Sequence, residues 1–268
     1  MSKRHELDSR LKGETLVRKG LMNRHAQMAQ LRIVPDLNVV KIGGHGAIDY
    51  GREVVLPLIE EIGELSKNHK MLVVTGGGVR VRHMLDIGID LGMPTGVLAE
   101  LAGKISEQNA EMMALLLSRW GGTRVKTGEL LELPTLLHLG LLPVMHGTPP
   151  YGLYEHPPGV GLIPPHRTDT GAFLMAEVLG AKNCILVKNV DGLFSADPRI
   201  DPKAELIEDV TVEELLRMDL EDLAMERKLL YLLQDAHHVK EVKIVNGHVR
   251  GNIEKAILGE RVGTRIRT

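Results

Sequence analysis

Aromatic side chains are scarce. Phe, Trp and Tyr make up 3% of the 268 residues, too few for a surface that stacks nucleic-acid bases on rings. Cys184 is the only cysteine, so no disulfide forms within the chain, and its place in the apolar run CILV marks a buried, inert thiol. Neither sign of charge dominates. The net charge of -2 gives no bulk attraction to nucleic acid or to a membrane surface. No apolar run reaches the length of a membrane span, and the N-terminus lacks a secretory apolar core. The expectation is a cytoplasmic protein with no nucleic-acid and no membrane partner. The H-E-x-x-H spacing is absent, which excludes a hydrolytic zinc site of that type.

What is present is ordinary for a globular chain, with 43% hydrophobic and 25% charged residues. Short apolar strands alternate with amphipathic helices along the chain. That order predicts an α/β fold, a three-layer α/β/α sandwich around a mostly parallel sheet. No composition break divides residues 36–268, which read as one domain. Residues 1–35 read as a basic arm, because Lys3, Arg4, Arg10, Lys12, Arg18, Lys19, Arg24 and Arg32 outnumber Glu6, Asp8 and Glu14.

The most informative stretch runs from Thr168 to Pro198. Asp169 and Thr170 are good helix starters, since their side-chain oxygens can accept from first-turn N–H groups. Gly180 is placed to end that helix in a left-handed conformation. The strand CILV then delivers Lys188 to its carboxyl end, where open α/β sheets bind ligands, and Asn189, Asp191 and Gly192 make a turn. Taken alone, Lys188 also fits a solvated lysine after a strand. Two more strands run into glycine turns: NVVKIGGHG carries Lys41, Gly43 and Gly44, and MLVVTGGGVRVRH carries Gly76, Gly77, Gly78 and Arg82. Glycine lets backbone N–H groups approach an anion, and a following helix adds its positive end. Further on, Thr211 and Glu214 form a capping box, and a helix is expected from Leu220 to Leu233.

The stretch from His146 to His166 is framed by prolines, which exclude helix and stiffen a loop. It holds His146, Glu155, His156 and His166. Imidazole ligates transition metals or, when protonated, donates to oxo groups. The loop therefore suits an oxoanion or a metal-oxo species, with a structural brace carrying exposed histidines as the alternative.

These strings resemble the amino acid kinase family, and within it the uridylate kinases, from about Asn38 to the C-terminus. There T-D-T-A-A opens a helix and K-x-T-N-V-D-G-V-Y-x-A-D-P shapes an ATP pocket. Here VKNVDGLFSADP lacks one residue after Lys188 and carries Phe194 as its aromatic. The resemblance implies a nucleotide site of Lys41, Gly43, Gly44, Asp169, Lys188, Asn189, Asp191, Gly192, Phe194 and Asp197, with Mg2+ alongside ATP. It implies an oxyanion pocket at Gly76, Gly77, Gly78 and Arg82. Two departures weaken phosphotransfer. The M-D-x-[ST]-A motif reads MERKL, with Glu226 for the aspartate and Lys228 for the hydroxyl residue, and no acceptor aspartate aligns. The proline-framed loop, KIGGHGAID and MERKL together resemble the molybdenum- and tungsten-storing branch of the family, in its β-type chains. That likeness implies an α3β3 hetero-hexamer with an α-type subunit, holding polynuclear molybdate or tungstate oxide clusters on the histidine loop and loaded with ATP. Two functions stand at this point: such a storage subunit, with ATP hydrolysis coupled to uptake left open, or a nucleoside monophosphate kinase.

Overall fold

The computed structural model describes residues 30–149, 151–155, 163–198 and 200–268. The expected arm falls largely on residues 1–29, outside the described residues, and so does His156. Residues 32–268 form one compact unit.

Its centre is an eight-stranded sheet in the order β3-β4-β2-β1-β5-β9-β10-β8. The strands are β1 (Asn38–Ile42), β2 (Met71–Thr75), β3 (Gly122–Arg124), β4 (Leu142–His146), β5 (Asn183–Lys188), β8 (Asp209–Thr211), β9 (Glu241–Asn246) and β10 (Thr264–Arg267). β6 (Leu193–Phe194) and β7 (Leu206–Ile207) pair separately as a small antiparallel ribbon. Within the large sheet only β9 and β10 run antiparallel, which bears out the mostly parallel expectation.

Strand periodicity sorts the side chains onto two faces. Val39, Leu72, Val74, Cys184, Leu186 and Ile244 point to one core, with α5 (Thr168–Leu179), α6 (Val212–Met218) and α7 (Arg227–Gln234). Val40, Ile42, Val73, Ile185, Val187 and Val245 point to the other, with α1 (Arg52–Ser66), α3 (Thr95–Leu116) and α8 (Asn252–Leu258). α2 (Val79–Asp90) follows β2, and α4 (Leu133–His138) precedes β4. Both faces are therefore covered, as central parallel strands without a polar side require. Cys184 is buried and free, and burial pushes its thiol far above the ordinary range. Among the described residues no helix is long and apolar enough to cross a membrane.

Local signals behave as read. Gly180 closes α5 at φ 65°. Thr211 accepts from the Glu214 backbone N–H at 3.1 Å while Glu214 accepts from that of Thr211 at 2.9 Å. Two expectations fail. The helix expected from Leu220 begins only at Arg227, because Asp219 turns left-handed at φ 44° and Glu226 is drawn off to another helix. The starters of α5 are also reassigned. Asp169 and Thr170 lie inside its first turn and are buried, and its N-cap Arg167 makes no side-chain cap.

Candidate functional site

Three strand ends and one helix start meet at the carboxyl edge of the sheet. Lys41 sits in β1 and Lys188 ends the neighbouring β5. Asp169, in the first turn of α5, lies between their ammonium groups. Lys41 Nζ is 2.7 Å from Asp169 Oδ1, and Lys188 Nζ is 2.7 Å from Oδ2. Burial alone would raise the Asp169 carboxyl, but Lys188 and Lys41 outweigh it and hold the acid well below the usual carboxylate range. Burial lowers the Lys188 ammonium, Lys41 lowers it further, and Asp169 opposes them. Both ammonium groups share the Asp169 carboxylate, and the buried Glu226 carboxylate stands close enough to act on Lys188 as well.

The glycine turns close around this centre. A β-carbon on Gly44 would lie 2.1 Å from Gly78 N, so the turns after β1 and β2 touch backbone to backbone. One on Gly76 would lie 3.1 Å from Gly44 N, 3.2 Å from Thr168 Oγ1 and 3.3 Å from Lys41 Nζ. The missing side chain lets these polar groups close in on one another as a polar cradle. Gly43 N donates to Val187 O at 3.2 Å, fastening the first turn to β5. Asn189 donates to the Tyr50 hydroxyl at 3.2 Å, and Asp191 accepts from Asn246 Nδ2 at 2.8 Å. Gly192 lies against Thr264, whose hydroxyl also accepts from Leu193 N at 2.7 Å. Phe194 is in the β6–β7 ribbon, and the Asp197 carbonyl accepts from Ile200 N and Asp201 N. Lys41, Gly43, Gly44, Asp169 and Lys188 thus come together, while Phe194 and Asp197 lie further along the β5 loop.

Three residues that organise the site, Glu226, Asp49 and Asn109, were not read from the sequence as doing so. The Glu226 carboxylate accepts from Arg167 N at 2.9 Å, Asp169 N at 2.9 Å and Thr170 N at 3.1 Å, capping α5 across the fold. Glu226 therefore braces the helix that carries Asp169, where a disturbed geometry was expected. Lys228 is exposed, 5.8 Å from the Tyr231 ring centre, and takes no part. Asp49 accepts from Val79 N at 2.6 Å, placing a carboxylate of the chain on the start of α2. Asp49 is the only carboxylate between Gly43 and Gly51, and that was the available signal. Arg80 bonds Gln108 and Asn109, and Asn109 in turn donates to Gly76 O at 2.6 Å. Arg82 is exposed, and among the described residues its side chain has no partner.

The histidine loop takes a 3-10 turn at Gly152–Tyr154. His146 Nε2 is 3.0 Å from Thr127 Oγ1, and its Nδ1 is buried without a partner. Burial, with Arg124 beside it, holds this imidazole below its ordinary range. His166 Nδ1 is 2.7 Å from the buried Glu155 carboxylate. Among the described residues no three His, Cys, Asp or Glu side chains converge as a set for a metal ion.

The family model of the amino acid kinase family matches residues 36–246. The chain is 44% identical over 261 residues to the molybdenum storage protein subunit beta of Azotobacter vinelandii, covering 97% of each. It is 33% identical over 238 residues to a uridylate kinase of Thermofilum pendens, covering 84% of this chain and 95% of that one. Among solved structures, the uridylate kinase of Archaeoglobus fulgidus superposes with a TM-score of 0.67 at 24% identity, covering 85% of this chain and 99% of that one. The UMP kinase of Ureaplasma parvum gives 0.68 at 18% identity, covering 87% and 99%. Both structures carry the same fold, and the match of the family model over most of the length shows that the chain belongs to the amino acid kinase family.

Proposed function

We propose that the chain is the β-type subunit of a molybdenum storage protein. The observation that carries this reading is the 44% identity to such a subunit over 97% of both chains. In this reading the chain assembles with an α-type partner as an α3β3 cage in the cytoplasm. The cage holds molybdate or tungstate as polynuclear oxide clusters, and histidines of the proline-framed loop meet that cargo, His146 excepted because Thr127 takes its Nε2 and its Nδ1 is sealed in. ATP, with Mg2+, binds at the carboxyl edge of the sheet. Lys41 and Lys188 would hold its phosphate oxygens, because both ammonium groups converge beside Gly76 at the glycine turns. Bound ATP would supply a phosphoanhydride whose cleavage can be coupled to loading.

The test is elemental analysis of the protein purified from cells grown with molybdate, with its α-type partner co-expressed. Many molybdenum atoms per particle are expected. A metal-free particle, even after incubation with molybdate and ATP, sinks the storage reading.

The second reading, a uridylate-type kinase, is favoured by the uridylate kinase relatives and by the shared fold. MERKL in place of M-D-x-[ST]-A opposes it. A coupled assay with ATP and uridylate separates the two. Phosphotransfer well below the ordinary range, under about 1 s⁻¹, is expected. Faster turnover supports the kinase.

A further inference from the structure

Asp49 caps a helix that is not its own. α2 begins at Val79, and its N-cap is Gly78, at φ 73° and without a side chain to offer. Asp49 stands in the 3-10 turn Ile48–Tyr50 after β1, and its Oδ2 accepts from Val79 N at 2.6 Å. The fit is close. A β-carbon on Gly78 would lie 2.5 Å from Asp49 Oδ1 and 2.6 Å from Oδ2, so a larger residue there would push the carboxylate out. The neighbouring polar groups are engaged too. Gly76 N donates to Ile42 O at 3.0 Å, and Gly76 O accepts from Asn109 Nδ2 at 2.6 Å. Arg80 is held by Gln108 and Asn109 of α3. Glu226, the carboxylate on the start of α5, keeps only 6% side-chain exposure, whereas Asp49 keeps 20%. The seat that Asp49 fills therefore opens to solvent. It also lies beside the nucleotide site, since Gly76 packs against Lys41 Nζ and Gly44 touches Gly78.

We infer that Asp49 is a specificity-determining residue: its carboxylate fills the seat at the head of α2 where a second phosphate-bearing ligand would place its phosphate, and so turns a nucleoside monophosphate away. A helix start attracts an anion through its free N–H groups and its dipole. Here the chain supplies that anion itself. An incoming phosphate must either displace the carboxylate from its 2.6 Å bond or lie against it, and like charges in contact repel. The glycines of MLVVTGGGVRVRH read by themselves as an oxyanion pocket, and Asp49 is what occupies it. With ATP placed as proposed above, its terminal phosphoryl group then meets no seated nucleotide acceptor. The exclusion itself stands on the geometry of α2 and holds whether or not the particle stores metal.

The experiment compares particles built with the wild-type chain and with Asp49→Ser, each assembled with the same α-type partner. Both are titrated by calorimetry with uridylate and with uridine, in the absence of ATP and molybdate, so the result does not depend on the storage reading. With the partner unchanged, a difference between the two particles belongs to this chain. Asp49→Ser keeps a hydroxyl that can accept from Val79 N but leaves room for a phosphate and removes the repelling charge. It should bind uridylate roughly 10-fold more tightly than the wild type, the size of a helix-start contact with an anion. Uridine should gain nothing, because only the phosphate meets the seat. Equal uridylate affinity in the two particles overturns the inference, and so does a gain that uridine shares. Should Asp49→Ser fail to assemble, crystals of the wild-type particle soaked in uridylate decide. The Asp49 carboxylate is expected to stay on Val79 N, and a phosphate found there in its place overturns the inference.

Discussion

Asp169 carries more of the site than any other residue, because two ammonium groups depend on it. Asp169→Asn removes the charge and leaves Lys41 and Lys188 buried beside each other. Breaking a buried pair from one side costs about 3–5 kcal/mol. The lower end is expected, since Lys188 is already displaced downward and can shed its proton. That relief has a sign. A lysine whose folded pKa lies below its unfolded one binds fewer protons when folded, so stability rises with pH through that interval. Urea midpoints of Asp169→Asn should therefore recover toward wild type between neutral pH and the alkaline range. A deficit that is small and constant with pH would show that the two lysines are not confined as the geometry states.

At the scale of elements, α5 is the helix that places Asp169, and its start is held from a distance. Its N-terminal N–H groups donate three bonds to Glu226, which precedes α7. Glu226→Ala should cost about 1–3 kcal/mol, the price of leaving buried donors unsatisfied. Hydrogen exchange should speed up at the amides of Asp169 and Thr170 and leave the amides of α1 unchanged. Equal loss of protection in both helices would mean that Glu226 supports the whole fold and not this helix end. The same element shows where sequence reading stops. Gly180 and the Thr211–Glu214 box are local, so the chain states them within four residues. The strands are legible because interior parallel strands need short apolar runs. The partnership of Glu226 with α5 is set by how two helices lie on one sheet face, and no spacing encodes it. For the same reason Lys228 read as a cation in the site, when one more step around α7 turns it to solvent. Lys41, Asp169 and Lys188 were recoverable through their motifs; that one carboxylate serves both lysines was not.

Across the whole molecule, carboxylates are lodged where backbone N–H groups or cations converge. Glu177 of α5 accepts from His237 N at 2.7 Å, His238 N at 3.0 Å and Val239 N at 2.8 Å, tying that helix to the turn before β9. Burial raises this acid, and the three backbone donors outweigh it, so it sits below its ordinary value. Asp169 is lowered for the reasons given above, and Asp209 is lowered by Arg267 and Arg265. Each group binds its proton more readily unfolded than folded. Their contribution is therefore complete above the unfolded carboxylate range, about 4, and is lost as pH falls through the depressed folded values. Urea midpoints should be level from pH 7 to about 5 and then decline steeply. Glu177→Gln should begin lower at neutral pH and decline less, because one of the titrating groups is gone. Salt separates the contributors. Asp209 is solvent-facing, and at 1 M ionic strength a Debye length of about 3 Å screens it. Asp169 and the backbone bonds of Glu177 are sheltered, so most of the acid slope should survive in salt. A slope that vanishes in salt would place the acid sensitivity in surface ion pairs, and the lodged carboxylates would then be packing details of the fold and not what ties its helices together.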